Sequence, residues 1–203
     1  MTRNLPFLTA ALAMGVAIAP ANAQVLLNPD DVQAGAYAID SKETLVRYGT
    51  IHMGINEFWG TFPNAKGTLV LDPKSIGDAK LDVSVPVATV STTNKDLDTQ
   101  LRSSAFFDAA KYPNMRFVST SVTRTGPTTA KISGDLTLHG VTKPIVLDAT
   151  FTGAGPNSFS EVFTIGFKAQ GVINRSDFGI GKWIPVISDV TTINISAAFE
   201  KKK

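Results

Sequence analysis

Phe163-Thr164-Ile165-Gly166-Phe167-Lys168-Ala169-Gln170-Gly171-Val172-Ile173 is the stretch that decides the fold. Phe163, Ile165, Phe167, Ala169, Gly171 and Ile173 fall on one phase of a two-residue period, with Thr164, Gly166, Lys168, Gln170 and Val172 on the other. A strand sends successive side chains to opposite faces, so this order gives one apolar and one largely polar face. A helix of 3.6 residues per turn would scatter both kinds around its surface. The stretch is therefore a half-buried β-strand.

The same period runs outward from it. Ile132, Gly134, Leu136 and Leu138 alternate with Ser133, Asp135, Thr137 and His139, and Ile145, Leu147, Ala149 and Phe151 alternate with Val146, Asp148 and Thr150. Ile193, Ile195, Ala197 and Phe199 make a last strand, and Leu81, Val83 and Val85 an earlier one. Turn residues at Asp72-Pro73, Gly77-Asp78, Gly126-Pro127, His139-Gly140 and from Gly153 to Asn157 separate these runs, so neighbours are antiparallel. The pattern predicts an all-β fold of about eight strands, a number that closes into a barrel to remove its edges. One segment breaks the period. Asn94 to Leu101 reads as a capped helix with Leu97 and Leu101 on one side, and Ser103 to Lys111 extends it to Tyr112-Pro113, where proline stops it. Because it joins two strands, this helical insertion lies across a barrel mouth or beside it.

Residues 1–23 read as a signal peptide, with Arg3, an apolar run from Leu5 to Ile18, and Ala21-Asn22-Ala23 as the cleavage site. Export follows, with a mature chain of one domain: an N-terminal extension at 24–35, a barrel at 36–200 and a basic tail at 201–203. No later run is long and apolar enough for an integral membrane segment. Removing the leader takes the formal charge from +2 to +1, and no basic face inside the domain suits nucleic acid. With no cysteine and only His52 and His139, thiol chemistry is absent and a closed zinc site would need two carboxylates besides, so neither metal nor cofactor is expected.

Alternation alone does not say which face points inward. A membrane barrel wants aromatic girdles at both strand ends, whereas the twelve Phe, two Trp and three Tyr fall mid-strand or in the insertion, and the chain ends in Lys201-Lys202-Lys203. With the apolar face inward, the interior is either packed or open for one small ligand. Gly134, Ala149, Ala169, Gly171 and Ala197 on the inward phase leave volume that larger residues would fill, which favours an apolar ligand. The alternating Thr-rich outer face does not decide between a monomer and a homodimer.

Phe106-Phe107-Asp108 followed by Tyr112-Pro113 and Phe117 resembles the central motif of the YceI-like polyisoprenoid-binding family. His52-Met53-Gly54 with Gly60-Thr61-Phe62, Leu136 through Pro144, and Arg175-Ser176-Asp177-Phe178-Gly179 agree in order and spacing, so that the resemblance covers about residues 36–200. It implies a lipocalin-like barrel in the periplasm that holds a polyisoprenoid or similar long lipid for transport, storage or sequestration, without enzymatic activity. Trp59 departs from the pattern and would alter the entrance.

Phe58, Phe62, Phe106, Phe107, Phe117, Phe163, Phe167, Phe178 and Trp183 are the candidates for lining the cavity, with plain core packing as the alternative for each. Arg102 and Arg175 are candidates for a polar or phosphorylated head group, although Asp177 is the nearer expected partner of Arg175. His139 is expected to brace its own glycine turn. A hydrolase would need a nucleophile beside one of the histidines, and no Gly-x-Ser-x-Gly elbow is present. A stress-related or interaction scaffold with a packed interior is the remaining alternative.

Overall fold

A computed structural model describes residues 25–203, so the leader and its cleavage site lie outside the described residues. The strands are β1 (Gly35–Ile39), β2 (Leu45–His52), β3 (Asn56–Phe62), β4 (Lys66–Leu71), β5 (Lys80–Pro86), β6 (Asn114–Arg124), β7 (Thr129–Leu138), β8 (Val141–Pro156), β9 (Phe163–Asn174) and β10 (Ile187–Lys201), with one α-helix, α1 (Lys95–Arg102), between β5 and β6. The deciding stretch is β9: Ile165 and Ile173 are buried while Lys168, Gln170 and Val172 are exposed.

Ten strands make a barrel of eight staves. All pair antiparallel in the order β1-β4-β5-β6-β7-β8-β9-β10-β2-β3, and β1 also pairs with β10, which closes the ring. β1 and β2 lie end to end along β10, from Ile39 opposite Phe199 to Leu45 opposite Ser196. β3 and β4 lie end to end on the other side of that stave. Each double stave has a local break. Between β1 and β2, Thr44 Oγ1 accepts from the Ala198 amide at 3.1 Å, a side chain standing in for a ladder partner. Between β3 and β4, Pro63 has no amide to donate and Asn64 sits at φ 64°.

The helix forms where expected. Asn94 accepts from the amides of Asp96 and Leu97 at 3.1 and 3.2 Å, and Leu101 is buried. It does not continue to Lys111. Ser103 is extended and its hydroxyl donates back to the Gln100 carbonyl at 2.7 Å, ending the helix by the local competition usual for serine. The following turns, with Asp108 at φ 46°, place Phe106 and Phe107 over the barrel.

The insertion, the β2–β3 and β7–β8 turns and the segment between β9 and β10 share one end, here called the mouth. Residues 25–34 cover the other end: Leu26 exchanges backbone hydrogen bonds with Ala154 at 2.7 and 2.9 Å, and Val32 is buried in the lower core with Leu71, Phe151 and Ile165. The outer wall carries charge on its strands, including the forked Arg116–Asp82 pair and Lys131–Asp148, which a lipid-facing wall would not tolerate at mid-height. No helix of the described residues is long and apolar enough to cross a membrane.

Candidate ligand cavity

The interior is open. A cavity of about 410 Å³ runs inside the barrel, lined by residues of β10 from Ile187 at the mouth to Phe199 near the lower end. Twelve residues of strand at about 3.3 Å each, tilted as in barrels of this size, give roughly 30 Å of depth. Spread over that length the space is a channel for one chain rather than a rounded pocket. Its volume falls within the range of ligand sites, about 300–1,000 Å³. Most lining side chains are apolar, with Thr50, His52, Arg175 and Thr191 among the polar ones.

Phe58, Phe62, Phe106, Phe107, Phe117, Phe167 and Trp183 all line this channel. Phe106 and Trp183 meet at the mouth with ring centres 5.2 Å apart, with the Lys182 ammonium over both rings. Phe62 and Phe107 form an edge-on pair at 5.4 Å, and Phe167 packs between Phe151 and Phe199 lower down. Phe163 and Phe178 lie outside the lining. Phe163 opens β9 opposite Pro156, against the lower core, and Phe178 is a fully buried core residue under the mouth.

The small inward residues divide in two. Ala149, Ala169 and Ala197 line the cavity, as does Ala130. Gly134 and Gly171 do not leave space: a Cβ on Gly134 would meet the Phe117 ring at 2.4 Å, and one on Gly171 would meet Leu147 Cδ2 at 2.7 Å. There the neighbouring side chain has taken the volume.

Neither arginine stands as a free head-group receptor. Arg102 ends α1 and donates to Thr99 of its own helix at 3.0 Å, outside the cavity lining. Arg175 is buried, and four of its donors reach main-chain carbonyls: Nε to Ser188 at 2.9 Å, Nη1 to Ile180 and Lys182 at 2.7 and 2.9 Å, and Nη2 to Ile187 at 2.9 Å. Asp177 is not its partner. The acid whose charge acts on it is Asp189, which accepts from the Ser176 amide and hydroxyl at 2.8 and 2.6 Å and is held below the usual carboxylate range by them. Arg175 thus knots the segment from Ile180 to Ser188 into the side of the mouth.

The histidines are structural neighbours of this knot. His139 Nδ1 bonds the Phe178 carbonyl at 3.0 Å and its ring meets Tyr112 edge-on at 4.9 Å, so it ties its turn to the next one instead of bracing its own. His52 lines the cavity at the mouth, opposite Asn56 and Ile187 in the ladders. Among the described residues no three His, Asp or Glu side chains gather as a metal site would. Trp59 does not shape the entrance. It stands on the outer face, under the Arg47 guanidinium at 4.5 Å from its ring centre.

Sequence reading passed over β2. Val46, Tyr48, Thr50 and His52 all line the cavity, but Thr and His on the inward phase blur the alternation. The available signal was cross-strand, Val46 and Tyr48 lying opposite Phe62 and Gly60.

A YceI-like domain model matches residues 37–199. The chain is 39% identical over 173 residues to a UPF0312 protein of Pseudomonas savastanoi pv. phaseolicola, covering 84% of this chain and 85% of that one. Among solved structures it is similar to the Campylobacter jejuni YceI protein, with a TM-score of 0.67 and 32% identity over 75% of this chain and 90% of that one. A polyisoprenoid binding domain from Saccharophagus degradans, implicated in plant cell wall breakdown, shares the fold at a TM-score of 0.60 and 15% identity, covering 84% of this chain and all of that one.

Proposed function

Because the chain belongs to the YceI-like family, we propose that it is a periplasmic lipid-binding protein that holds a polyisoprenoid or similar long apolar chain inside the barrel, for transport, storage or sequestration. The observation that carries this reading is the channel: about 410 Å³, lined mainly by Phe, Ile, Leu, Val and Ala. A dry apolar space of this kind accepts an apolar chain more readily than water. The depth suits an extended tail, being close to the thickness of a bilayer's hydrocarbon core, about 30 Å. The polyisoprenoid binding of the Saccharophagus domain is consistent with that cargo.

The reading is of a binder without catalysis. Among the described residues neither His52 nor His139 hydrogen-bonds a serine, and His139 Nδ1 is engaged by a carbonyl. The basic start and apolar run before Ala23 support export. The channel weighs against a scaffold with a packed interior. The test is mass spectrometry of the organic extract from protein purified without detergent from its own periplasm. A stoichiometric isoprenoid or fatty lipid is expected. An empty extract, with no uptake of such lipids when they are added, would overturn the reading.

A further inference from the structure

Tyr48 lies opposite Gly60 in the β2–β3 ladder and opposite Ile193 of β10, halfway between Ile187 and Phe199. A Cβ on Gly60 would come within 2.3 Å of Tyr48 Cε1 and 2.5 Å of its hydroxyl oxygen. The ring therefore lies flat across the β3 main chain, a placement that only glycine opposite permits. Phe62 and Phe107 flank it with ring centres at 5.5 and 6.2 Å, so the hydroxyl is held in one place by packing.

That hydroxyl has no partner. Among the described residues no protein atom hydrogen-bonds it, while every sealed side-chain nitrogen or oxygen is paired. It thus opens on accessible space, and Tyr48 lines the channel. A hydroxyl without a protein partner at mid-depth, on a wall that is mainly apolar apart from Thr50 and Thr191 nearer the mouth, stands ready for one ligand atom, because a buried donor left unpaired is costly.

The surroundings say what kind of atom. Burial, and then the charge of Asp98, push the phenol above its ordinary pKa, so the hydroxyl keeps its proton and has one to donate. Asp98 is itself a buried residue of α1, with Oδ1 accepting from the Thr92 amide and hydroxyl at 2.7 Å each, and its charge opposes an anionic group beside Tyr48. The cations of the lining are engaged elsewhere, Arg175 with four carbonyls and Arg47 with Trp59 on the outer face.

We propose that Tyr48 is the hydrogen-bond donor that fixes the cargo in the channel, and that the cargo carries an uncharged acceptor oxygen, as an alcohol, ether, ketone or ester, at mid-depth. This rests on the barrel being a lipid binder. The test compares the wild-type chain and Tyr48→Phe for binding of geranylgeraniol, geranylgeranyl diphosphate and squalene by calorimetry. The substitution removes a hydroxyl without a protein partner, so the variant melts with the wild type. It binds the alcohol about 5–10-fold more weakly, in line with one lost hydrogen bond, and squalene equally well. The wild type prefers the alcohol to the diphosphate. Undiminished alcohol binding by Tyr48→Phe, or preference for the diphosphate, overturns the donor while squalene binding keeps the lipid reading standing. Failure of the wild type to bind any of the three overturns both.

Discussion

Replacing Arg175 with methionine separates a clamp from a head-group receptor. The guanidinium makes four hydrogen bonds of 2.7–2.9 Å to carbonyls of Ile180, Lys182, Ile187 and Ser188. Bonds from a charged donor contribute about 1.5–3 kcal/mol each, but two effects reduce their sum. Methionine removes a buried charge that is costly to desolvate, and one of the freed carbonyls, that of Lys182, belongs to an exposed residue where water can reach it, although Ile180 is buried. Losing one partner of a buried charged network typically costs about 3–5 kcal/mol, and that is the expected destabilisation. At about 2–4 °C per kcal/mol for a domain of this size, Tm falls by roughly 6–20 °C. Urea unfolding followed by circular dichroism reads the free energy, and a thermal melt reads the second figure. Lysine at 175 recovers less than half, since one compact ammonium cannot span four carbonyls. A methionine variant within about 1 kcal/mol of wild type, with binding of a phosphorylated lipid lost, would refute the clamp and make the guanidinium a ligand group.

Ala169→Phe, placed between Ala149 and Ile195 on the channel wall, is expected to abolish uptake of a long-chain lipid while leaving the barrel folded, checked by a fluorescent fatty-chain probe beside a thermal melt. Gly134→Ala meets the Phe117 ring and the Val118 carbonyl at 2.4 and 2.5 Å, and should destabilise by about 1–3 kcal/mol in urea. Asp189 is depressed by its two bonds from Ser176, so its contribution is present above the ordinary carboxylate range and lost as pH falls through its lowered pKa. Ser176→Ala should therefore be less stable than wild type at neutral pH, with the gap narrowing on acidification; a gap that widens below about pH 4 would contradict this.

The barrel could be read from β9 because period-two alternation follows directly from backbone geometry, and the same rule gave the strands on either side. What alternation cannot carry is the behaviour of a neighbour. Gly134 and Gly171 looked like vacant volume, yet Phe117 and Leu147 reach across from adjoining strands into that space. Asp177 stands two residues from Arg175 in sequence, but the turn sends the guanidinium to carbonyls five to thirteen residues away, in a segment with no periodicity to read. Phe178 and Phe106 belong to similar motifs, and only the third dimension puts one in the core and the other at the mouth. The count of about eight staves was legible, while their breaks at Thr44 and Asn64 were not, since each depends on what the opposing strand offers.

The ladder does not close the barrel equally at both heights. In the lower tier β1 pairs with both β4 and β10 and the hoop is complete. In the upper tier β3 ends the order of the sheet, and its free edge meets only the single bridge from Thr61 to Ser91. Beyond the two main-chain bonds of that bridge, at 2.8 and 2.9 Å, the edge of β3 has no strand beside it, and Phe107 of the insertion packs against Tyr48 and Phe62 behind it. Such a seam can breathe without unzipping a strand, because opening it breaks two main-chain bonds and not a ladder. Amide exchange along Asn56 to Trp59 should accordingly run ahead of exchange in β8 and β9, whose amides are laddered on both sides.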